Sequence, residues 1–250
     1  MIKEKKENLI NSKQTHSTIS LQTENNDVID AMFKVGAHFG YQKSRRDSST
    51  KPFIFGIKNK IEIIDLEKTK EQLEKAKEFI SNLAKEGKQI LFVGGKNEAR
   101  NSVKTGAMSI NMPFVNGRWI GGAITNFTEI KKRIAKFEDL QKQKEKGELS
   151  KYTKKERLLI DREIDKLDKM FSGIVIMRDI PKALFVIDSK KEFTVVAEAK
   201  KLGIPIIALA NTDCNIKNID FPIIANDASI SSITFFVEEI VKAYKDNILK

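Results

Sequence analysis

The turn Val93-Gly94-Gly95-Lys96-Asn97 sets two glycines and a lysine between an apolar run and a helical one. Backbone N–H groups in such a setting can hold a phosphate. A nucleotide P-loop needs Gly-Lys followed by Ser or Thr, whose hydroxyl goes to magnesium. Here Asn97 follows Lys96 and the first glycine lies too close, and the three spaced glycines of a dinucleotide site are missing. A tight strand-to-helix turn is the simpler expectation. Its helix N-terminus, with Lys96 and Arg100 beside it, could still dock a backbone phosphate of RNA.

Two further segments could grip phosphates. Val115-Asn116-Gly117-Arg118-Trp119-Ile120-Gly121-Gly122 holds the sole tryptophan, and its glycines free the backbone around an Arg-Trp pair. Arg118 can pair with phosphate or satisfy an internal carboxylate, while Trp119 is expected to fill a gap in the core. From His38 to Pro52 the chain collects Lys43, Arg45, Arg46 and Lys51 among Ser and Thr hydroxyls, a mixture that binds RNA backbones, and Tyr41 could stack on a base.

Catalytic chemistry is poorly provided for. Cys214 is the sole cysteine and the two histidines are His16 and His38, so a zinc cluster or a hydrolase triad has little to draw on. Asp65 and Asp188 follow strand-like runs, where α/β enzymes place their reactive groups, but neither has a partner at a telling spacing. Both are more simply caps of the helices that follow. We expect no catalytic residue, no metal, no cofactor and no small-molecule substrate. The competing enzyme reading is a phosphate-ligand-binding α/β protein using the turn at Gly94 and Gly95.

The elements that must carry these segments follow from periodicity. Short β-branched runs at Phe53–Phe55, Ile61–Ile64, Gln89–Val93, Phe114–Val115, Ala183–Ile187, Ile206–Ala210 and Ile223–Ala225 alternate with helical stretches at 27–34, 66–85, 97–110, 192–202 and 228–247. That alternation predicts an α/β fold, a mostly parallel sheet covered by helices. Gly87 and Gly203 stand where helix C-caps belong. Residues 1–26 are polar and aperiodic and are expected to be a disordered tail, too acidic and too poor in arginine for an organellar transit peptide.

Residues 126–171 interrupt the alternation with a strandless, highly charged segment. Phe127, Ile130, Ile134 and Phe137 repeat at helical spacing, and after Gly147 so do Ile160, Ile164, Leu167 and Phe171. Two amphipathic helices folded into an antiparallel coiled-coil hairpin about 30 Å long are expected, inserted between 27–125 and 172–250 of the α/β domain. Its charges either solvate the arm or, at Lys131, Lys132, Arg133 and Lys136, meet RNA. The whole chain carries 45 Lys plus Arg against 34 Asp plus Glu, a formal charge of +11 that favours polyanionic partners. No run is long enough to span a membrane, which points to the cytosol.

Taken together, Gly36-Ala37-His38-Phe39-Gly40, Phe53-Ile54-Phe55-Gly56, Ile63-Ile64-Asp65-Leu66, Arg118-Trp119-Ile120-Gly121-Gly122 with Thr125-Asn126-Phe127, and Ala183-Leu184-Phe185-Val186-Ile187-Asp188 resemble the bacterial-type small-subunit ribosomal protein S-two family. The resemblance runs over about 27–245. It implies a Rossmann-like or flavodoxin-like sheet with an inserted hairpin, in a non-enzymatic component of the cytoplasmic ribosome that contacts small-subunit rRNA and neighbouring ribosomal proteins. A further implied partner is the large mRNA-binding ribosomal protein S-one. The RNA contacts then fall to Lys43, Arg45, Arg46, Lys51, Lys96, Arg100, Arg118, Lys131, Lys132 and Arg133. The chain departs from the family pattern at Tyr41, where a second histidine is usual, at Asp47-Ser48-Ser49-Thr50, at Gly117, and at Ala228 and Ser231, which replace an aspartate and an arginine.

Overall fold

The structure is a computed structural model that describes residues 27–248; the tail expected at 1–26 lies outside the described residues. Helix α1 covers 27–34. It leads into a three-stranded antiparallel sheet of β1 (Phe39–Gln42), β2 (Ile54–Lys58) and β3 (Ile61–Ile64), in the order β1-β3-β2. Helix α2 (Leu66–Lys85) follows, then β4 (Ile90–Val93), α3 (Arg100–Ser109) and β5 (Phe114–Val115). After α4 (Phe127–Glu145) and α5 (Lys154–Phe171) come β6 (Ala183–Ile187), α6 (Phe193–Lys201), β7 (Ile206–Ala210), β8 (Phe221–Ile224) and α7 (Ile230–Lys245).

Strands β4 to β8 form one wholly parallel sheet in the order β5-β4-β6-β7-β8. Its central strands are buried on both faces, which explains their unbroken apolar sequences. Side chains alternate between two clusters. Ile90, Phe92, Phe185, Ile187, Ile207 and Leu209 join α2, α3 and α7 on one side, whereas Leu91, Val93, Leu184, Val186, Ile206 and Ala208 join α4, α5 and α6 on the other. Numbered by their own order, the strands run 2-1-3-4-5, the flavodoxin-like arrangement, which reverses direction between β4 and β6.

Local chemistry starts and stops the helices. The Asp65 carboxylate accepts from Glu67 N and caps α2, as expected. At its other end Gly87 takes φ +62°, Lys88 N donates to Leu83 O at 3.0 Å and Gly87 N to Ala84 O at 3.0 Å, closing a Schellman turn. Gly203 ends α6 in the same way. Helix α5 opens with a capping box between Thr153 and Glu156, and Gly147, at φ +70°, breaks the chain after α4.

Two expectations need correction. The stretch 39–42, where no strand is expected from the sequence, is strand β1, and with β2 and β3 it forms a separate antiparallel sheet instead of extending the parallel one. It carries no clean alternation, because β1 is short and pairs irregularly with β3. Helix α3 begins at Arg100 and not at Asn97, and Lys96 lies in the turn as expected.

Candidate RNA interface

The crevice at a topological switch point lies beyond the C-terminal ends of the strands, here where Gly94-Gly95-Lys96 follows β4 and Asp188 follows β6. Lys96 points inward. Its Nζ stands 3.2 Å from Asp188 Oδ2 and 3.0 Å from Asp227 Oδ2, and Asn211 Nδ2 donates to Asp227 Oδ1 at 3.1 Å. Burial alone would lower the Lys96 pKa, but Asp227 and Asp188 outweigh it and hold the ammonium well above the usual lysine value. Burial pushes the Asp227 carboxyl up, with Lys96 opposing. Tyr41 is shifted up by the same burial and by Asp227.

This cluster is a poor phosphate site, since an incoming anion would face two carboxylates. Asp188, Cys214 and Asp227 also have donor atoms within 4.8 Å of one another. The Lys96 ammonium already supplies the counter-charge there, and burial pushes the Cys214 thiol up to about 12, far from the thiolate that a metal needs. Asp188 does not cap α6 directly. At φ +63° it accepts Lys191 N at 3.0 Å and closes the turn leading into that helix.

The two glycine-rich segments meet. Gly95 N donates to the buried Glu192 at 3.2 Å, and a Cβ at Gly95 would lie 2.6 Å from Gly117 O and 2.5 Å from Glu192 Oε1. Burial raises the Glu192 pKa, and the Gly95 N–H partly offsets it. Gly95→Ala is therefore expected to cost about 1–3 kcal/mol through overpacking, read as a lowered midpoint in urea unfolding with unchanged slope.

Glu198 of α6 holds the loop after Gly117. Its carboxylate accepts from Trp119 Nε1 at 3.0 Å, Gly122 N at 2.7 Å, Ile124 N and Thr125 N at 3.3 Å, and Thr125 Oγ1 at 3.2 Å. Trp119 is buried in the cluster that also contains Phe127 and Val195, as expected. Arg118 is exposed, and no described residue pairs with it.

Residues 43–51 are pinned over the end of β7 by Thr212. Tyr41 N donates to Thr212 Oγ1 at 3.0 Å, Asp47 N to Thr212 O at 2.9 Å, and Thr50 Oγ1 to the same carbonyl at 2.8 Å. Lys43 and Arg45 project from a short 3-10 turn, with the Arg45 guanidinium 5.8 Å from the Tyr41 ring centre; Lys51 is exposed. Arg46 turns inward to the fully buried Glu62 at 3.2 Å.

Residues 32–247 match the family model described as Ribosomal protein S2. The chain belongs to this family. Relatives named small ribosomal subunit protein uS2 include that of Coprothermobacter proteolyticus, 43% identical over 212 residues, which are 85% of this chain and 79% of the relative. Helicobacter hepaticus has one 43% identical, covering 85% of this chain and 80% of the relative. That of Wolinella succinogenes is 41% identical over 86% of this chain and 79% of its own length.

In this S2 family member the remaining expected contacts lie on two other surfaces. Arg100 is exposed at the first turn of α3. On α4, Lys131 lies 3.5 Å from Asp179 and over the Phe127 ring, Lys132 pairs with Glu129 at 2.7 Å, and Arg133 is exposed. Arg133 and Lys136 line a cleft together with Arg162, Glu163 and Lys166 of α5. Arg162 and Lys166 were missed in the sequence, although their spacing of four on an amphipathic helix places them on one face.

Proposed function

We propose that this chain is a structural, non-enzymatic constituent of the small ribosomal subunit, working in the cytosolic ribosome to hold small-subunit rRNA beside neighbouring ribosomal proteins. The observation that carries the reading is its family membership, with relatives 41–43% identical that are named as small-subunit ribosomal proteins. No described helix is long and apolar enough to cross a membrane. The enzyme alternative loses its basis, because in the switch-point crevice Lys96 is already paired with two carboxylates.

Within that function, the cations not committed to internal pairs are the RNA contacts: Lys43, Arg45 and Lys51 on one loop, Arg100 and Arg118, and Arg133 on α4, with Lys131 and Lys132 more weakly placed by their own carboxylate partners. Arg46 anchors the first of these loops through Glu62, and Lys96 is committed to Asp188 and Asp227. We further infer that 126–171 is an inserted antiparallel coiled-coil hairpin on the body formed by 27–125 and 172–250. Support comes from the shared apolar seam of Phe127, Ile130, Ile134, Ile164, Leu167 and Phe171 and from the Lys136–Glu163 and Lys144–Asp161 pairs between its helices. Engagement of the mRNA-binding protein S-one belongs to the same proposal.

The experiment is gradient fractionation of a native lysate with a salt wash of the small-subunit fraction. Stoichiometric retention is expected; a chain that stays near the top of the gradient would exclude the ribosomal role. For the contacts, the double substitution Lys43→Ala with Arg45→Ala should weaken rRNA binding and flatten its logarithmic salt dependence by about 1.4–1.8, at roughly 0.7–0.9 per phosphate lost. An unchanged slope removes this loop from the interface. Arg46 is a poor choice for that test, since its removal strands buried Glu62.

A further inference from the structure

We propose that the outer edge of β2 is a docking strip for an extended segment of a neighbouring small-subunit protein, a segment alternating apolar and acidic side chains. The inference rests on the ribosomal reading above. Strand β2 ends the order β1-β3-β2, so among the described residues no strand pairs its outer side. The opposite edge is different. Strand β1 is closed off by Thr212, which accepts from Tyr41 N and stands where a Cβ on Gly40 would be, at 2.8 Å.

An open edge presents unpaired N–H and C=O groups, and soluble proteins usually blunt one by placing charge within it. Here the charge sits at one end, at Lys58, while the rest is apolar: Phe55 is 81% exposed and Ile57 51%. Ile61 on the neighbouring strand is 38% exposed. Strand β2 turns into β3 through Asn59 and Lys60, at φ +52° and +67°, a tight two-residue hairpin that holds the edge outward as a defined template.

The charge pattern selects the occupant. From Pro52 to Ile61 there are two lysines, Lys58 and Lys60, and no acidic residue. Neither pairs with a described carboxylate. An acidic partner strand would complete the backbone ladder, cover Phe55 and Ile57, and neutralise these lysines. This is strand addition, in which main-chain hydrogen bonds give affinity and alternate side chains give selectivity. A second copy would set lysine against lysine. RNA would neutralise the charge and a base could stack on Phe55, but RNA would leave the backbone ladder unpaired and Ile57 and Ile61 without an apolar partner.

The test places a photoreactive group on the edge, Phe55→p-benzoylphenylalanine in the full chain, lets the variant join small subunits, and identifies the irradiated product by mass spectrometry. The expected product is a cross-link to one ribosomal protein, within a segment carrying alternating apolar and acidic residues. Cross-links to rRNA, to a second copy or to residues 1–26 of the same chain would overturn the proposal, as would none at all. A variant that fails to join the subunit is replaced by hydrogen exchange on the unaltered chain, free and within the subunit. Exchange at Ile54–Lys58 should slow at least about tenfold in the subunit; equal rates in both overturn the docking strip while the ribosomal role stands. Absence of the unaltered chain from the subunit overturns both.

Discussion

Lys96→Ala is expected to destabilise the fold by about 3–5 kcal/mol, because it leaves two carboxylates facing each other without their cation. Asp227 is almost wholly buried, with 1% of its side chain exposed, and Asp188 and Lys96 are each 14% exposed, so water entering the vacated space screens the two carboxylates less well than the ammonium does. For a chain of this size the loss amounts to a fall in melting temperature on the order of 10 °C. Adding Asp227→Asn should recover part of it, since the amide removes one charge and its oxygen can still accept from Asn211. The sign of the pH dependence also follows. A carboxylate whose folded pKa is raised penalises the fold above that pKa, and the penalty fades as the pH falls through it. The Lys96→Ala deficit should therefore narrow in acid. If Lys96 instead served only to hold rRNA, melting would be unchanged and only RNA affinity would drop.

The second large effect is expected at Glu198→Ala, about 2–4 kcal/mol, from the loss of charge-assisted hydrogen bonds to one buried indole and several backbone N–H groups. Trp119 is the sole tryptophan, so its fluorescence reports this site alone. The emission of the variant should shift to the red as the loop from Trp119 to Thr125 loosens. Burial would raise the Glu198 pKa, but Trp119, Gly122, Thr125 and Ile124 donate to it and hold it below the usual glutamate range. That contribution is present above about pH 4.5 and is lost as the pH falls through the lower folded value. The gap between native chain and variant should close in acid, here because the native chain loses stability. An unshifted emission maximum would show that apolar packing alone fixes Trp119.

The two substitutions separate scaffold from interface. Both act away from the exposed cations, Lys96 between Asp188 and Asp227 and Glu198 under the Arg118 loop, and neither should alter the salt slope of RNA binding beyond what misfolding removes. Lys43 and Arg45 should do the reverse, changing the slope while leaving melting nearly untouched, as expected for exposed charges.

The sequence by itself determined the parallel sheet, the positions of most helices, and the glycines that end them. Each of these is written in neighbours along the chain: period two or its absence in strands, spacings of three and four in helices, and a residue able to take positive φ at Gly87, Gly147 and Gly203. Membership of a ribosomal family was legible for the same reason, as ordered short motifs. Only the tertiary structure decided which cations face out. Lys96 and Arg46 look the same in sequence as Lys43 and Arg45, yet their partners Asp188, Asp227 and Glu62 come from other strands and loops. Glu198 looked like an ordinary helix-surface acid, and becomes the hub of a loop 79 residues earlier at Trp119. Local periodicity reports burial, but the pairing of charges depends on which chain segments the sheet order brings together, and that order is set by packing across the whole domain.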